Sequence, residues 1–338
     1  MSTYRAFEVT GTRQFELVQR PTPEPPFGHV RLRVEVCGVC HSDVLAVEGM
    51  RPDPSRPVVP GHEVVGVIDA VGPGVTTWRV GERVGVGFLN GHCGVCDFCR
   101  RGDFVNCADQ PQTGSDVDGG YAEVLVARAS GLVRIPDGMS SIDAAPLLCA
   151  GLTVFSALQQ LDSAPGALVA VQGIGGLGHL GVQYAHKLGY RVAAIARGTG
   201  KAELAEQFGA DHYIDSDAGD PGEALRELGG AAAVVATAAS GASMSPLVSG
   251  LAPRGRMVVV GAAFDPIQLQ TTDLIFGTRT VSGSLTGSSI DNEDNLRFAR
   301  TRGVRPMTEV MPLSRAPLAY DRMMAGDARF RIVLTMAD

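Results

Sequence analysis

The feature that most limits the fold is a glycine run at the junction of two elements. The apolar stretch Ala167–Val171 leads into Gly173-Ile174-Gly175-Gly176-Leu177-Gly178, and Gly176–Leu188 has helical spacing. Alone, a GxGxxG run is a weak signal. Between a strand and a helix, inside a β–α alternation, it is what a phosphate-cradling turn requires. Gly173 permits the tight turn, Gly175 lets the backbone approach a pyrophosphate, and Gly178 allows close helix–strand packing. The loop N–H groups, those of Gly176 and Leu177 included, and the positive end of the helix dipole suit the phosphates. The plainer alternative is a tight turn with no ligand.

The alternation around this turn is sustained. Ala167–Val171, Arg191–Ala196, His212–Ile214, Ala233–Thr237, Arg256–Val260 and Thr280–Gly283 read as strands. Gly176–Leu188, Lys201–Phe208, Gly222–Leu228 and Ser245–Leu251 read as helices between them, and Ala144–Leu161 as a longer helix before them. Strands and helices in turn predict a doubly wound parallel sheet. Thr280–Gly283 is expected near the sheet edge, where an open strand invites pairing with a second copy. After about residue 284 the pattern predicts two helices and a last strand, Phe330–Leu334.

The first 130 residues read differently. Val30, Leu32, Val34 and Val36 alternate with Arg31, Arg33 and Glu35, a half-buried strand. Glu63–Val71 and Glu82–Gly87 are further strand-like runs, and the four prolines of Arg51–Pro60 require a loop. Gly is 43 of 338 residues and has no triplet period, so it marks many tight turns. A length of 338 residues with 45% apolar and 19% charged residues suits about two globular domains and excludes a disordered chain. The net charge of −7 argues against a nucleic-acid or anionic-membrane partner. No apolar run of membrane-spanning length is unbroken, and Met1-Ser2-Thr3-Tyr4-Arg5 begins no signal peptide, so a cytoplasmic protein is expected.

There are 7 cysteines, an odd number. Cys93, Cys96, Cys99 and Cys107 crowd one segment. That favours a metal over disulfides, and four thiolates in this spacing suit a closed structural zinc site. An iron–sulfur cluster and a metal-free thiol group are the alternatives.

Beyond the strand ending at Ile195, an acidic residue would bind the ribose 2′-hydroxyl of NAD. The sequence instead reads Ala196-Arg197-Gly198-Thr199-Gly200-Lys201. No carboxylate repels a 2′-phosphate there, and Arg197 and Lys201 are cations able to pair with one. Their plainer reading is a solvated turn.

Two further clusters, Cys37-Gly38-Val39-Cys40-His41-Ser42-Asp43 and Gly61-His62-Glu63-Val64-Val65-Gly66, precede the four-cysteine loop, and Cys149 stands in Leu148-Cys149-Ala150-Gly151-Leu152-Thr153. Singly each is weak, because a lone His or buried Cys is usually structural. Their order, together with the four-cysteine loop and the glycine run, resembles the zinc-dependent alcohol dehydrogenases of the medium-chain dehydrogenase/reductase superfamily. The resemblance covers essentially the whole chain, and Phe88-Leu89-Asn90-Gly91 leading into the cysteines is similar to the bacterial and yeast-type branch.

The resemblance implies an α/β protein with a GroES-like β-rich catalytic domain plus a doubly wound Rossmann domain. The catalytic domain would comprise residues 1–148 and 285–338, with a structural zinc lobe at about 90–110, and the Rossmann domain residues 149–284. It implies two zinc ions per subunit, one of them catalytic on Cys40, His62 and Cys149, with a fourth position open. Glu63 would be a carboxylate able to exchange with water at the metal, and Asp43 would orient His62 from behind. Ser42 would hydrogen-bond the alcohol oxygen, Thr153 would lie near the nicotinamide, and Arg331 would reach the cofactor phosphates. Val260 is a further implied cofactor contact. Phe88, Met50, Arg51 and Leu285 are the expected pocket walls.

The implied reaction passes hydride between an alcohol or aldehyde and a nicotinamide cofactor, NADP(H) favoured without excluding NAD(H). Zinc lowers the pKa of a bound hydroxyl from about 16 toward 7, which lets the carbinol carbon release hydride. The implied partners are a small-molecule alcohol or aldehyde and further copies of the chain, as a homodimer or homotetramer. Alternatives are a reductase of another C=O, C=N or C=C group, or a non-catalytic zinc- and nucleotide-binding protein; the complete ligand set argues against the latter. One departure stands out. Leu45 occupies the place where many family members carry a proton-relaying His, so the proton must leave from Ser42 by another route. Cys37 reads as a packed thiol.

Overall fold

The computed structural model describes residues 2–51 and 53–337. The chain divides into two compact units, each built on its own sheet. One comprises Met1–Leu152, Gly287–Thr301 and Arg305–Asp338, the other Thr153–Thr286 and Arg302–Val304.

In the second unit the strands lie in the order His212–Asp215, Arg191–Ala196, Leu168–Gln172, Ala231–Ala236, Leu251–Val259, Thr280–Gly283. All neighbouring pairs are parallel. Numbered along the chain this is the doubly wound order 3-2-1-4-5-6. Leu168–Gln172 is buried throughout, as its continuous apolar run requires of a central strand covered on both faces. The order reverses between this strand and Ala231–Ala236, and the glycine loop leaves the sheet at that switch point. Thr280–Gly283 occupies the edge, as its place at the end of the alternation predicts.

The first unit holds a 7-stranded sheet. Its path runs Thr308–Pro312, Arg331–Thr335, His29–Val39, Glu63–Val71, Arg83–Val86, Leu132–Arg134, and Val124–Arg128 also pairs with His29–Val39. A separate antiparallel hairpin joins Thr3–Gly11 to Gln14–Pro21. The core beneath the sheet includes Leu32, Ile68, Tyr121, Leu125 and Ile332.

Some expected elements differ. The helix read at Ser245–Leu251 is instead a short helix, Gly241–Met244, a 3₁₀ turn, Ser245–Val248, and the start of the strand Leu251–Val259. Pro246 at the head of the turn and the pairing of Leu251 with Ala231 override the local helical spacing. The helix Thr271–Gly277 and the strand Thr308–Pro312 are additional to the expected elements. The long helix after Ser140 is not uniform. It changes at Pro146 to a π-helical segment, Leu147–Gly151, and resumes as α-helix over Leu152–Gln159. Among the described residues only this run, Ser141–Gln159, is long and apolar enough to cross a bilayer, and its apolar window is 78% buried in the protein.

Candidate active site

Strand register builds the first cluster. His29–Val39 and Glu63–Val71 run antiparallel with Gly38 opposite Glu63. Cys40 follows the first strand and His62 precedes the second, so the pairing brings them side by side. Gly38 is needed there, because a Cβ at that position would collide with the Glu63 side chain. Cys149 comes from the π-helical segment, whose wide turn follows the Pro146 interruption. Such turns are frequent where a helix must re-aim a functional side chain.

The ligand atoms of Cys40, His62, Glu63 and Cys149 all lie within 4.8 Å of one another. The Cys40 and Cys149 Sγ atoms are 3.9 Å apart. Two thiolates on a tetrahedral zinc at about 2.3 Å stand roughly 3.8 Å apart, so the pair has the spacing of a metal edge. His62 Nε2 and Glu63 Oε2 are buried with no hydrogen-bond partner. Orphaned buried acceptors are costly, and a cation among them resolves the cost. These residues fit zinc. The S–H of Cys149 and the neighbouring His62 hold Cys40 well below the usual thiol range.

Behind the ligands, His62 Nδ1 lies 3.1 Å from Asp43 Oδ1. Asp43 Oδ2 accepts from the Cys40 backbone N–H at 3.0 Å and the Tyr121 hydroxyl at 2.9 Å. Burial pushes the Glu63 carboxyl up to about 8 against the pull of Arg331, whose Nη2 donates to Glu63 Oε1 at 2.5 Å. Arg331, expected at the cofactor phosphates, is buried, with Nη2 donating to Glu63 and to the Val39 carbonyl and Nε without a hydrogen-bond partner. The strand Arg331–Thr335 pairs with His29–Val39, Ile332 opposite Val39, which brings Arg331 to the end of the strand that leads into Cys40.

Ser42 lies in the 3₁₀ turn His41–Asp43 directly after Cys40. Phe88 is buried and meets the His62 ring edge-on at 5.1 Å. Met50 is half exposed, while the buried Arg51 donates to the carbonyls of Pro54 and Arg56 in its own loop. Leu285 is exposed and belongs to the second unit.

The ligand atoms of Cys93, Cys96, Cys99 and Cys107 also gather within 4.8 Å of one another. Backbone N–H groups point at these sulfurs: Val95 and Cys96 at Cys93, Cys99 at Cys96, Cys93 and Asp109 at Cys107. Donors aimed at sulfur favour thiolate, and the Cys99 N–H draws Cys96 down to about 6.

The glycine loop in the second unit has the form its spacing predicts. Gly173 adopts φ +90°, open to glycine at little cost. A Cβ on Gly178 would run into the Gly173 carbonyl oxygen, whereas one on Gly175 meets nothing within 4 Å. The bare backbone at Gly175 is therefore open to a ligand, with Gly176 and Leu177 next to it before the helix Gly178–Lys187. Thr237, absent from the sequence-derived set, supports the loop: its hydroxyl lies 2.9 Å from the Gln172 carbonyl and 2.8 Å from that of Gly173. A lone hydroxyl just after an apolar strand was the signal for it. Thr153 is buried in the helix Leu152–Gln159, and Val260 donates its N–H to Ala236 at the switch-point end of the sheet. Arg197 is exposed beyond the strand Arg191–Ala196. Gly198 beside it is held on both backbone groups, by Asp215 at its N–H and the Tyr213 hydroxyl at its carbonyl.

A buried cysteine–histidine–carboxylate cluster in a β-rich unit, and a glycine-loop switch point in a doubly wound unit, define a metal-dependent, nucleotide-linked dehydrogenase. Residues 26–137 match the family described as Alcohol dehydrogenase GroES-like domain, and residues 176–301 match that described as Zinc-binding dehydrogenase. The alcohol dehydrogenase notN of Aspergillus sp. (strain MF297-2) is 42% identical over 94% of this chain and 93% of its own. Among solved structures, the cinnamyl alcohol dehydrogenase SbCAD4 of Sorghum bicolor superimposes with TM-score 0.91 at 33% identity, covering 99% of this chain and 98% of that one. The CAD from Helicobacter pylori complexed with NADP(H) gives TM-score 0.88 at 25% identity, with 99% and 98% covered. The chain belongs to the zinc-dependent alcohol dehydrogenases of the medium-chain dehydrogenase/reductase superfamily. It is an alcohol oxidoreductase that works with zinc and a nicotinamide cofactor.

Proposed function

We propose that the alcohol or aldehyde is turned over at Cys40, His62 and Cys149, and that NADP(H) is the preferred hydride carrier. The observation that carries the first part is the convergence of two thiols and an orphaned imidazole nitrogen at tetrahedral spacing. Zinc held there polarises an alcohol or carbonyl oxygen, and the nicotinamide takes or gives the hydride. The protein's own groups do the rest. Asp43 fixes His62 with Nε2 toward the ligand cluster, Glu63 offers a carboxylate beside the open position, and Ser42 takes the hydroxyl proton. Phe88 walls the site against water. With Leu45 in place of a relay histidine, the side chain at position 45 cannot carry the proton onward, so Ser42 would have to pass it on by another route. Thr153, Val260 and the loop Gly173–Gly178 serve the cofactor.

The four-cysteine loop supports a second, structural zinc. Elemental analysis of the purified protein is therefore expected to give two zinc per chain and no iron, and Cys96→Ser one zinc. A single zinc in the unaltered protein overturns the second site.

The preference for NADP(H) rests on Ala196, Arg197 and Lys201. No carboxylate stands at position 196, and an Arg fork suits a phosphate bidentately. A hydrogen bond to a charged group contributes about 1.5–3 kcal/mol, roughly ten- to a hundredfold in affinity. Solvent at an exposed turn reduces this, so the lower end is expected. Measuring kcat/KM for both cofactors should show the preference in the unaltered enzyme and its loss in Arg197→Ala. Equal use of NAD(H) by the unaltered enzyme ends this proposal.

The edge position of Thr280–Gly283 supports pairing with a second copy. That none of the seven cysteines is in a disulfide suits a reducing compartment such as the cytoplasm.

A further inference from the structure

We propose that Tyr121 is a positioning residue for the catalytic metal, acting through Asp43 on His62. This rests on the ligand set proposed above. Asp43 is 2% exposed and Tyr121 fully buried, so the carboxylate depends on its protein partners. Oδ2 takes two hydrogen bonds, from the Cys40 N–H and the Tyr121 hydroxyl, while Oδ1 accepts none and lies 3.1 Å from His62 Nδ1 as an ion-pair contact.

The division of labour between the two oxygens is the point. An aspartate carboxylate turns easily about its last torsion, which is broad and roughly two-fold. One backbone donor leaves that rotation soft. A second donor on the same oxygen, arriving from a different strand-end, fixes the plane of the carboxylate. Oδ1 is then held toward Nδ1, the proton stays on Nδ1, and Nε2 keeps its lone pair for the metal.

Tyr121 is tied to the His62 segment by more than its hydroxyl. Its N–H donates to the Pro60 carbonyl at 2.9 Å, and the Gly120 N–H donates to that of Gly61 at 2.9 Å. Gly61 has φ +97°, and a Cβ there would strike the Tyr121 ring. The ring thus lies on the bare face of the residue before His62, while its hydroxyl reaches the carboxylate behind His62. Backbone, ring and hydroxyl set one histidine.

Tyr121→Phe removes one oxygen atom and keeps the ring on Gly61. The measurement is metal release to an excess of chelator, followed separately for the two metals, with the four-cysteine metal as internal control of folding. Loss of a group that orients a metal ligand costs about 10–100-fold in metal affinity or activity. Metal release from the catalytic site is expected at least about tenfold faster in Tyr121→Phe, at an unchanged rate from the four cysteines. In the cobalt-substituted protein the thiolate-to-metal absorption of the Cys40–Cys149 site should shift. In an Asp43→Asn background the Tyr121→Phe effect should vanish, because the pathway is already cut. Unchanged release and an unchanged cobalt spectrum overturn the proposal, as does a full effect persisting in Asp43→Asn. Equal acceleration at both metals marks general destabilisation and also overturns it. Failure of the underlying ligand set shows elsewhere: Cys149→Ser would then retain both metals.

Discussion

Alanine at Cys40 or at His62 is expected to lower kcat by at least about a thousandfold and to leave nucleotide affinity within about twofold, given the ligand set proposed above. The size follows from what a lost ligand removes. A Lewis acid at the reacting oxygen is worth several kcal/mol, and each 1.36 kcal/mol is about a factor of ten in rate. With two protein ligands left, the site no longer holds the ion in place. The selectivity follows from the fold. Cys40 and His62 lie in the β-rich unit, whereas Gly173–Gly178 and Arg197 lie in the doubly wound unit, each with its own sheet. Turnover, nucleotide titration by fluorescence and metal content, measured on the same preparations, check the expectation. A variant retaining more than about a tenth of the original kcat would remove that residue from the ligand set.

The sequence was most legible where a local pattern answers a local demand of the backbone. Gly173 needs a positive φ, Gly178 needs room against the Gly173 carbonyl, and Leu168–Gln172 needs apolar side chains on both faces. Each demand is written within a few residues. The convergence of Cys40 and His62 was legible only through the resemblance, since singly each run is weak. Long-range pairing was not. Thr308–Pro312 carries no clear alternation and forms a strand because Arg331–Thr335 lies beside it. Leu251 leaves a helical-looking segment because Ala231 pairs with it. The same limit applies inside the site. Tyr121 is 78 residues from Asp43 and that contact has no local trace, while Thr237, 64 from Gly173, is marked only as a lone hydroxyl after an apolar strand.

Arg331 is a further contact set by long-range pairing: strand register delivers it to Glu63, and this makes a strong expectation. Arg331→Met is expected to destabilise the protein by about 3–5 kcal/mol, because it breaks a buried pair and leaves Glu63 either charged without a partner or protonated at a cost. Arg331 is 4% exposed and Glu63 0%, so water cannot replace the lost partner. Burial already pushes the Glu63 carboxyl up to about 8 with the guanidinium in place, so without it the acid is driven further toward its neutral form. A protonated Glu63 presents a dipole where a charge was balanced, beside Cys40, whose thiolate Arg331 also favours. For a unit of this size the loss amounts to a fall in Tm on the order of 10 °C. Glu63→Gln removes the charge from the other side and leaves a guanidinium that still bonds the Val39 carbonyl. Combined in Arg331→Met/Glu63→Gln, both charges are absent, and the pair is replaced by groups of similar volume. Such replacements are often neutral or stabilising. The double variant should therefore melt well above Arg331→Met alone. Thermal melts of the two single variants and the double, each with its metal content measured, form a double-mutant cycle. Additive losses would show that Arg331 and Glu63 are not coupled. A single Arg331→Met melting within about 2 °C of the unaltered protein would show that the ion pair carries little of the fold's stability.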